Sequence, residues 1–198
     1  MIMNYQNRYL EHQENKKEIF KKESEILELV EKTNFDEVIT SRRSTRKFFG
    51  KMINKEIKSV IDYAKFCPTS CNRQAIWMKI VKSKKEKDLL EELLVGGKNW
   101  INKAGIIVLL FADMDAYKSP NEVTYMPFLD AGVLAMTLSL GAERLGYGSC
   151  IVNPNIRQKD LNKFNNIFNK KGYKFCISLA VGKKGIQLDP RQNNLNLC

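Results

Sequence analysis

"PFLDAGVLAMTLSLGAERLG", residues 127–146, is apolar nearly all round, with Gly, Ala and Ser scattered among its large side chains. A helix of that composition has almost no solvent face, so it belongs in an interior, where its small residues let other backbones approach closely. Just upstream, "GIIVLLF" (105–111) is a continuous apolar run rich in β-branched residues, the pattern of a central strand buried on both faces. "IWMKIVK" (76–82) and "KFCISLAVG" (174–182) read as further strands, and "YGSCIV" (147–152) as a short strand or turn. Helices are predicted over "KEIKSVIDYAKF" (55–66), with Asn54 as its cap and Pro68 as its stop, over "KKEKDLLEELLVGG" (84–97), closed by Gly96 and Gly97, and over "IRQKDLNKFNNIF" (156–168). A short helical turn carries Phe35, Val38 and Ile39. Helices and strands alternate without a repeat or a linker, which predicts one α+β domain over residues 35–198. Residues 1–34 read as a charged N-terminal helical extension, with Ile19, Ile26, Leu27 and Val30 predicted on one face of its helix.

The chain has 198 residues and a net charge of +11. Its basic residues are spread along the chain rather than gathered in a block, so the charge points to an anionic ligand sooner than to a nucleic acid. Five cysteines at irregular spacing do not make a disulfide framework in a chain of this length; they read as reduced thiols of a cytoplasmic protein. The N-terminal stretch has no apolar signal core and the longest wholly apolar run, 104–112, is too short for a bilayer, so no membrane partner is expected. The single histidine, His12, sits among polar residues, which leaves no Ser-His-Asp or Cys-His machinery elsewhere in the chain. Cys67 and Cys71 are separated by three residues, not the two of a metal or redox pair, and read as packing residues. There is no GxGxxG and no Walker sequence.

Two stretches hold more donors than a structural loop needs. "SRRSTR" (41–46) offers three guanidiniums and two hydroxyls, and in an extended chain Arg42, Ser44 and Arg46 would share one side. Forked donors beside a serine suit a phosphate monoester; on charge alone, a solvated basic loop or an RNA contact is the plainer reading. "PTSCNRQ" (68–74) adds hydroxyls and the carboxamides of Asn72 and Gln74, groups that both donate and accept and so can read the edge of a heterocycle or a polyol. Alone, it could equally satisfy a turn between helix and strand.

Taken together and in this order, "RRSTRKF" and "PTSCNRQAI" resemble the motifs R-R-S-x-R-x-F and P-[ST]-S-x-N-x-Q-P-W of the nitroreductase family of flavoproteins. The resemblance continues through "GIIVLLFAD", "DAGVLAMTLSLGAERLGYGSC" and "CISLAVG" to Arg191, about residues 35 to 191. It implies a small, mainly antiparallel sheet flanked by helices, an intertwined homodimer, and FMN bound noncovalently in sites shared between the subunits. Arg42, Arg43 and Ser44 would bind the FMN phosphate and ribityl chain, with Arg191 closing on the phosphate. Arg46 would lie near the pyrimidine edge, where a positive group stabilises the reduced anionic flavin. Pro68, Thr69, Ser70, Asn72 and Gln74 would come from the other subunit, and the turn at Ile151, Val152 and Asn153 would present an N–H toward flavin N5. NAD(P)H would deliver a hydride to N5 and an electron-poor acceptor, a nitroaromatic or quinone, would then collect it in a ping-pong cycle, with no catalytic acid–base side chain.

The chain departs from the pattern in "QAI", where the family has Q-P-W, so that Trp77 stands one residue late. It also lacks a second basic residue beside Arg191, for which Lys183 or Lys184 could substitute. The resemblance also implies that the long helix packs on its own copy through Gly132, Ala135 and Ser139. Two rival readings stay open: another flavin reaction on the same fold, such as reductive dehalogenation or flavin or peptide-ring chemistry, and a flavin-free basic nucleic-acid-binding module using "SRRSTRKFF".

Overall fold

The computed structural model describes residues 34–118 and 120–185. The N-terminal helical extension with His12, Arg191 and the tail lie outside these residues. Asn34 caps α1 (Phe35–Ser41), its side chain accepting from the Asp36 N–H at 2.8 Å. After β1 (Phe48–Phe49) comes α2 (Asn54–Ile61), which tightens into a 3-10 stretch at Asp62–Phe66 before Pro68. Ile53, not Asn54, precedes the helix here, its N–H donating to Glu56 Oε2 at 2.6 Å. β2 (Ile76–Val81) leads into α3 (Lys84–Leu93), where Ser83 accepts from the Glu86 N–H. Then follow β3 (Ile106–Asp113), α4 (Glu122–Arg144), β4 (Gly148–Val152), α5 (Leu161–Phe168) and β5 (Tyr173–Lys184).

The five strands form one antiparallel sheet in the order β1-β5-β3-β2, with β4 also on β5. β3 is the middle of it: Ile107 to Ala112 pair with β2, and Ile106 to Asp113 pair with β5 across one irregularity after Leu110. Its continuous apolar run is explained by burial on both faces. Ile106, Val108 and Leu110 meet α2 and α4 through Ile57, Val60, Ala131, Leu134, Ala135 and Leu138. Ile107, Leu109 and Phe111 point the other way, to Leu90, Leu93, Trp100, Phe164 and Phe168 on α3, α5 and the segment between α3 and β3.

α4 has 23 residues and starts five residues before the expected Pro127, which it carries inside. By length and composition it could cross a bilayer, with a mean hydropathy of 1.4. In the fold it is the core helix: it packs on β3, β4, β5, α1 and α2 and buries Asp130, Ser139 and Glu143 against polar partners. Its C-terminus closes on left-handed Gly146, with the Tyr147 N–H donating to the Ala142 carbonyl at 2.8 Å. The side left without a neighbour among the described residues carries Tyr125, Leu129, Val133 and Met136, all exposed, with open space around Gly132 and with Phe128 at its edge beneath Lys174. Ala135 and Ser139 correct the expected contact surface. Ala135 is fully buried in the core and Ser139 Oγ lies 2.6 Å from Ser149 Oγ, so only Gly132 of the three faces outward. A helix apolar on every side does not announce in its sequence which side the sheet will take.

Candidate functional site

The chain leaves α1 at Arg42, whose N–H still bonds the Val38 carbonyl, and runs out extended. Ser44 bridges Ser149 in parallel and the Thr45 N–H donates to the Ser149 carbonyl at 2.8 Å, so β4 holds this loop as a strand-like edge. The period-two expectation is met at its centre: Thr45 is buried, Ser44 and Arg46 are exposed. Arg43 is turned back onto the helix end, where its Nη1 donates to the Thr40 and Arg42 carbonyls, both at 2.6 Å. Behind the loop, buried Glu143 of α4 accepts from Ser41 Oγ at 3.0 Å and pairs with Lys184 at 2.9 Å. Lys183 pairs with Glu56. Both lysines at the end of β5 are therefore engaged with carboxylates of the frame.

Gly148 is where the loop and β4 touch. A Cβ there would stand 2.5 Å from Thr45 Oγ1, 2.6 Å from its Cγ2 and 2.8 Å from Lys184 Cβ. Gly148→Ala is therefore expected to push the loop off β4 and cost about 1–3 kcal/mol of stability. Thermal unfolding checks this; an unchanged midpoint would show that the loop yields freely. Cys150, two residues on, is buried beneath the loop. Burial pushes its thiol up, against the pull of Arg46, the Ser44 hydroxyl and Arg42. Burial likewise raises Cys176, to about 11. Both thiols stay protonated and unreactive at neutral pH.

The segment after α3 reaches the same place. Its "VGGKNW" (95–100) reads in sequence only as a helix stop, yet Trp100 lies under the Arg46 guanidinium, 5.9 Å from its centroid, and stacks on Phe48 at 6.3 Å. The Val95 N–H donates to the Asn155 carbonyl, and a Cβ on Gly96 would meet Val152 and Asn153. Ile151 and Val152 are the end of β4 and not a turn; Ile151 is exposed, and the turn starts at Asn153, whose Oδ1 accepts from the Asn155 N–H. Arg42, Ser44, Arg46 and Ile151 to Asn153 thus gather at one edge with Gly96 and Trp100.

The second donor loop is elsewhere. Pro68 is exposed, and from Ser70 the chain makes a short 3-10 turn in which Cys71 and Asn72, and then Gln74, adopt positive φ of 49°, 53° and 53°. L-residues rarely take that backbone. The Gln74 N–H donates to Thr69 Oγ1 at 3.0 Å, and Gln74 Nε2 to Asn72 Oδ1 at 3.1 Å. The Ser70 N–H donates to Asp130 Oδ1 of α4 at 2.9 Å. Asp130 lies in the N-terminal half of α4 and Glu143 at its C-terminal end, roughly 20 Å apart at the α-helical rise. One chain therefore holds its two donor loops against opposite halves of its core helix.

Residues 93–183 match the nitroreductase family profile. The chain is 28% identical over 126 residues to the FMN reductase [NAD(P)H] of Bacillus subtilis (strain 168), a match covering 56% of this chain and half of that protein's length. Its fold is that of a nitroreductase family protein from Streptococcus pneumoniae TIGR4, with a TM-score of 0.71 at 20% identity over 81% of this chain and 95% of that one. A provisionally named nitroreductase from Exiguobacterium sibiricum 255-15, in complex with FMN, also superposes with a TM-score of 0.71, at 18% identity over 86% of this chain and 96% of that one.

Proposed function

We propose that this chain is an FMN-dependent NAD(P)H oxidoreductase that acts on an electron-poor small molecule and works as a homodimer with two shared FMN sites. The observation that carries the reading is the placement of the donors. A cationic, hydroxyl-bearing edge lies by the C-terminal end of α4 and a carboxamide loop along its N-terminal half, and the outer side of α4 is an apolar stripe. Two copies paired antiparallel along that stripe would bring the edge of one chain to the loop of the other.

The donor set suits FMN. Arg42 and Ser44 are of the right chemistry for a phosphate monoester, assisted by Arg191, and no glycine-rich pyrophosphate turn is present for a dinucleotide. Arg46, held over Trp100, is the cation available to the pyrimidine edge, and Ser70, Asn72 and Gln74 are the hydrogen-bonding groups from the other chain. Arg43, its Nη1 already bonded to two carbonyls, contributes mainly by fixing the loop. Bound FMN would supply the redox chemistry, taking a hydride from NAD(P)H and passing it on to the acceptor in turn. The protein's part is binding and electrostatics, which agrees with a set of site residues that includes no histidine and no unpaired acid.

The relative from Bacillus subtilis named as an FMN reductase and the FMN complex among the structural neighbours support the same cofactor. The alternative of a nucleic-acid-binding module is weakened by how "SRRSTRKFF" is used: Thr45 and Phe48 are buried and Arg43 closes a helix. The test is to denature the purified protein and separate what it releases by chromatography. FMN, not FAD, is expected. A colourless protein that also takes up no added FMN would overturn the reading.

A further inference from the structure

Behind the 68–74 loop lies a polar cluster to which neither motif assigns a role. Asp130 is 5% exposed. Its Oδ1 accepts from the Ser70 N–H at 2.9 Å and its Oδ2 from the Tyr117 hydroxyl at 3.0 Å. Arg73 Nη1 donates to Ser70 Oγ at 2.6 Å and pairs with Glu122 Oε1 at 2.8 Å, with both side chains mostly buried, and its guanidinium lies 5.6 Å over the Tyr117 ring. Two carboxylates of α4, a guanidinium of the loop and a phenol from the segment before α4 thus grip Ser70 from behind. A buried carboxylate is costly unless its hydrogen bonds are made. Here one of the two goes to the loop backbone and the other to a residue that stacks with the loop's own arginine.

We infer that Asp130 is a positioning residue of the flavin site, holding the loop in the left-handed conformation that presents Asn72 and Gln74. This rests on the FMN reading above. Cys71, Asn72 and Gln74 occupy a backbone region that residues with a Cβ avoid, and such a conformation persists only where the surroundings over-determine it. The neighbouring bonds, Gln74 N–H to Thr69 Oγ1 and Gln74 Nε2 to Asn72 Oδ1, are all internal to the loop. The anchors to the rest of the fold are Asp130 at Ser70 and Glu122 at Arg73, both on α4. Asp130 and Glu122 sit on the same helix as exposed Tyr125, Leu129 and Val133, so the element that presents the apolar stripe also sets the loop.

The experiment compares wild type with Asp130→Ala, Asp130→Asn and Tyr117→Phe. Amide hydrogen exchange across 69–74 is followed in flavin-free protein, and FMN affinity by quenching of flavin fluorescence. Asp130→Ala is expected to speed exchange in 69–74 while β3 exchanges as in wild type, and to weaken FMN binding about tenfold or more. Asp130→Asn keeps an acceptor for Ser70 and should recover most of the loss; Tyr117→Phe, nearly isosteric, should shift both readouts in the same direction by less. Faster exchange throughout the chain, or unchanged exchange in 69–74, would make Asp130 a core residue only. FMN affinity unchanged in all three variants, with wild type binding FMN, would overturn its role alone. A wild type that binds no FMN would overturn the flavin reading on which it rests.

Discussion

Val133→Glu is expected to yield a folded monomer that has lost its FMN. Val133 is 44% exposed, between Leu129 at 56% and Met136, on the side of α4 that no other element covers among the described residues. In a single chain this position tolerates glutamate, which is a better helix former than valine and would lie in water. In a dimer the same carboxylate would be buried in an apolar contact without a partner, at a cost of several kcal/mol. The outcome therefore separates the two cases, and because each site would draw donors from both chains, the flavin should leave with the partner. Ala135→Glu cannot make this distinction: Ala135 is fully buried between α4 and the sheet, and a charge there would break the fold itself. Sedimentation of Val133→Glu, with flavin absorbance followed in the same run, gives the answer. A variant that stays dimeric would place the interface elsewhere.

Arg42→Ala and Arg46→Ala are expected to fail in different ways. Arg42 follows α1 directly, on a backbone braced through Ser41 and Glu143, and its proposed partner is a phosphate. Removing it should weaken FMN binding by about 1.5–3 kcal/mol, the worth of a charge-assisted contact, and leave the potential of the bound flavin nearly unchanged. Arg46 lies over Trp100 and beside the exposed end of β4. Its loss should lower the midpoint potential of bound FMN and slow reduction by NAD(P)H, since the reduced cofactor carries more negative charge than the oxidised one and would lose its counter-charge. Redox titration of the bound flavin checks this. A potential unchanged in Arg46→Ala, with only affinity reduced, would show that both arginines merely hold the cofactor.

Strands β2, β3 and β5 were legible because their patterns were strong; β4 read as a strand or a turn, and the two-residue β1 carried no pattern. The uninterrupted "GIIVLLF" can be satisfied only with apolar layers on both sides, and it is the middle of the sheet. The donor loops were legible as chemistry: alternate Ser44 and Arg46 do emerge on the open side of an extended edge, with Thr45 beneath them. What could not be read was direction and distance. The sequence of α4 does not say that Ala135 faces inward and Val133 outward, because both faces are apolar and the choice is made by the sheet. Arg43 is chemically indistinguishable from Arg42, yet two free carbonyls at the end of α1 claim it. Trp100 reaches Arg46 from a segment more than fifty positions away, through packing that no local pattern encodes. Nothing in the sequence pairs Asp130 with Ser70 or Tyr117; its part is visible only in the fold, where they donate to its two oxygens.

The most direct test of a flavin site shared by two chains is sedimentation of the FMN-saturated wild-type protein, with protein and flavin absorbance recorded together. A single dimeric boundary carrying two FMN per dimer is predicted, with flavin falling in step with the dimer as the protein is diluted. Flavin that sediments with a monomer, or a dimer that carries none, would contradict it.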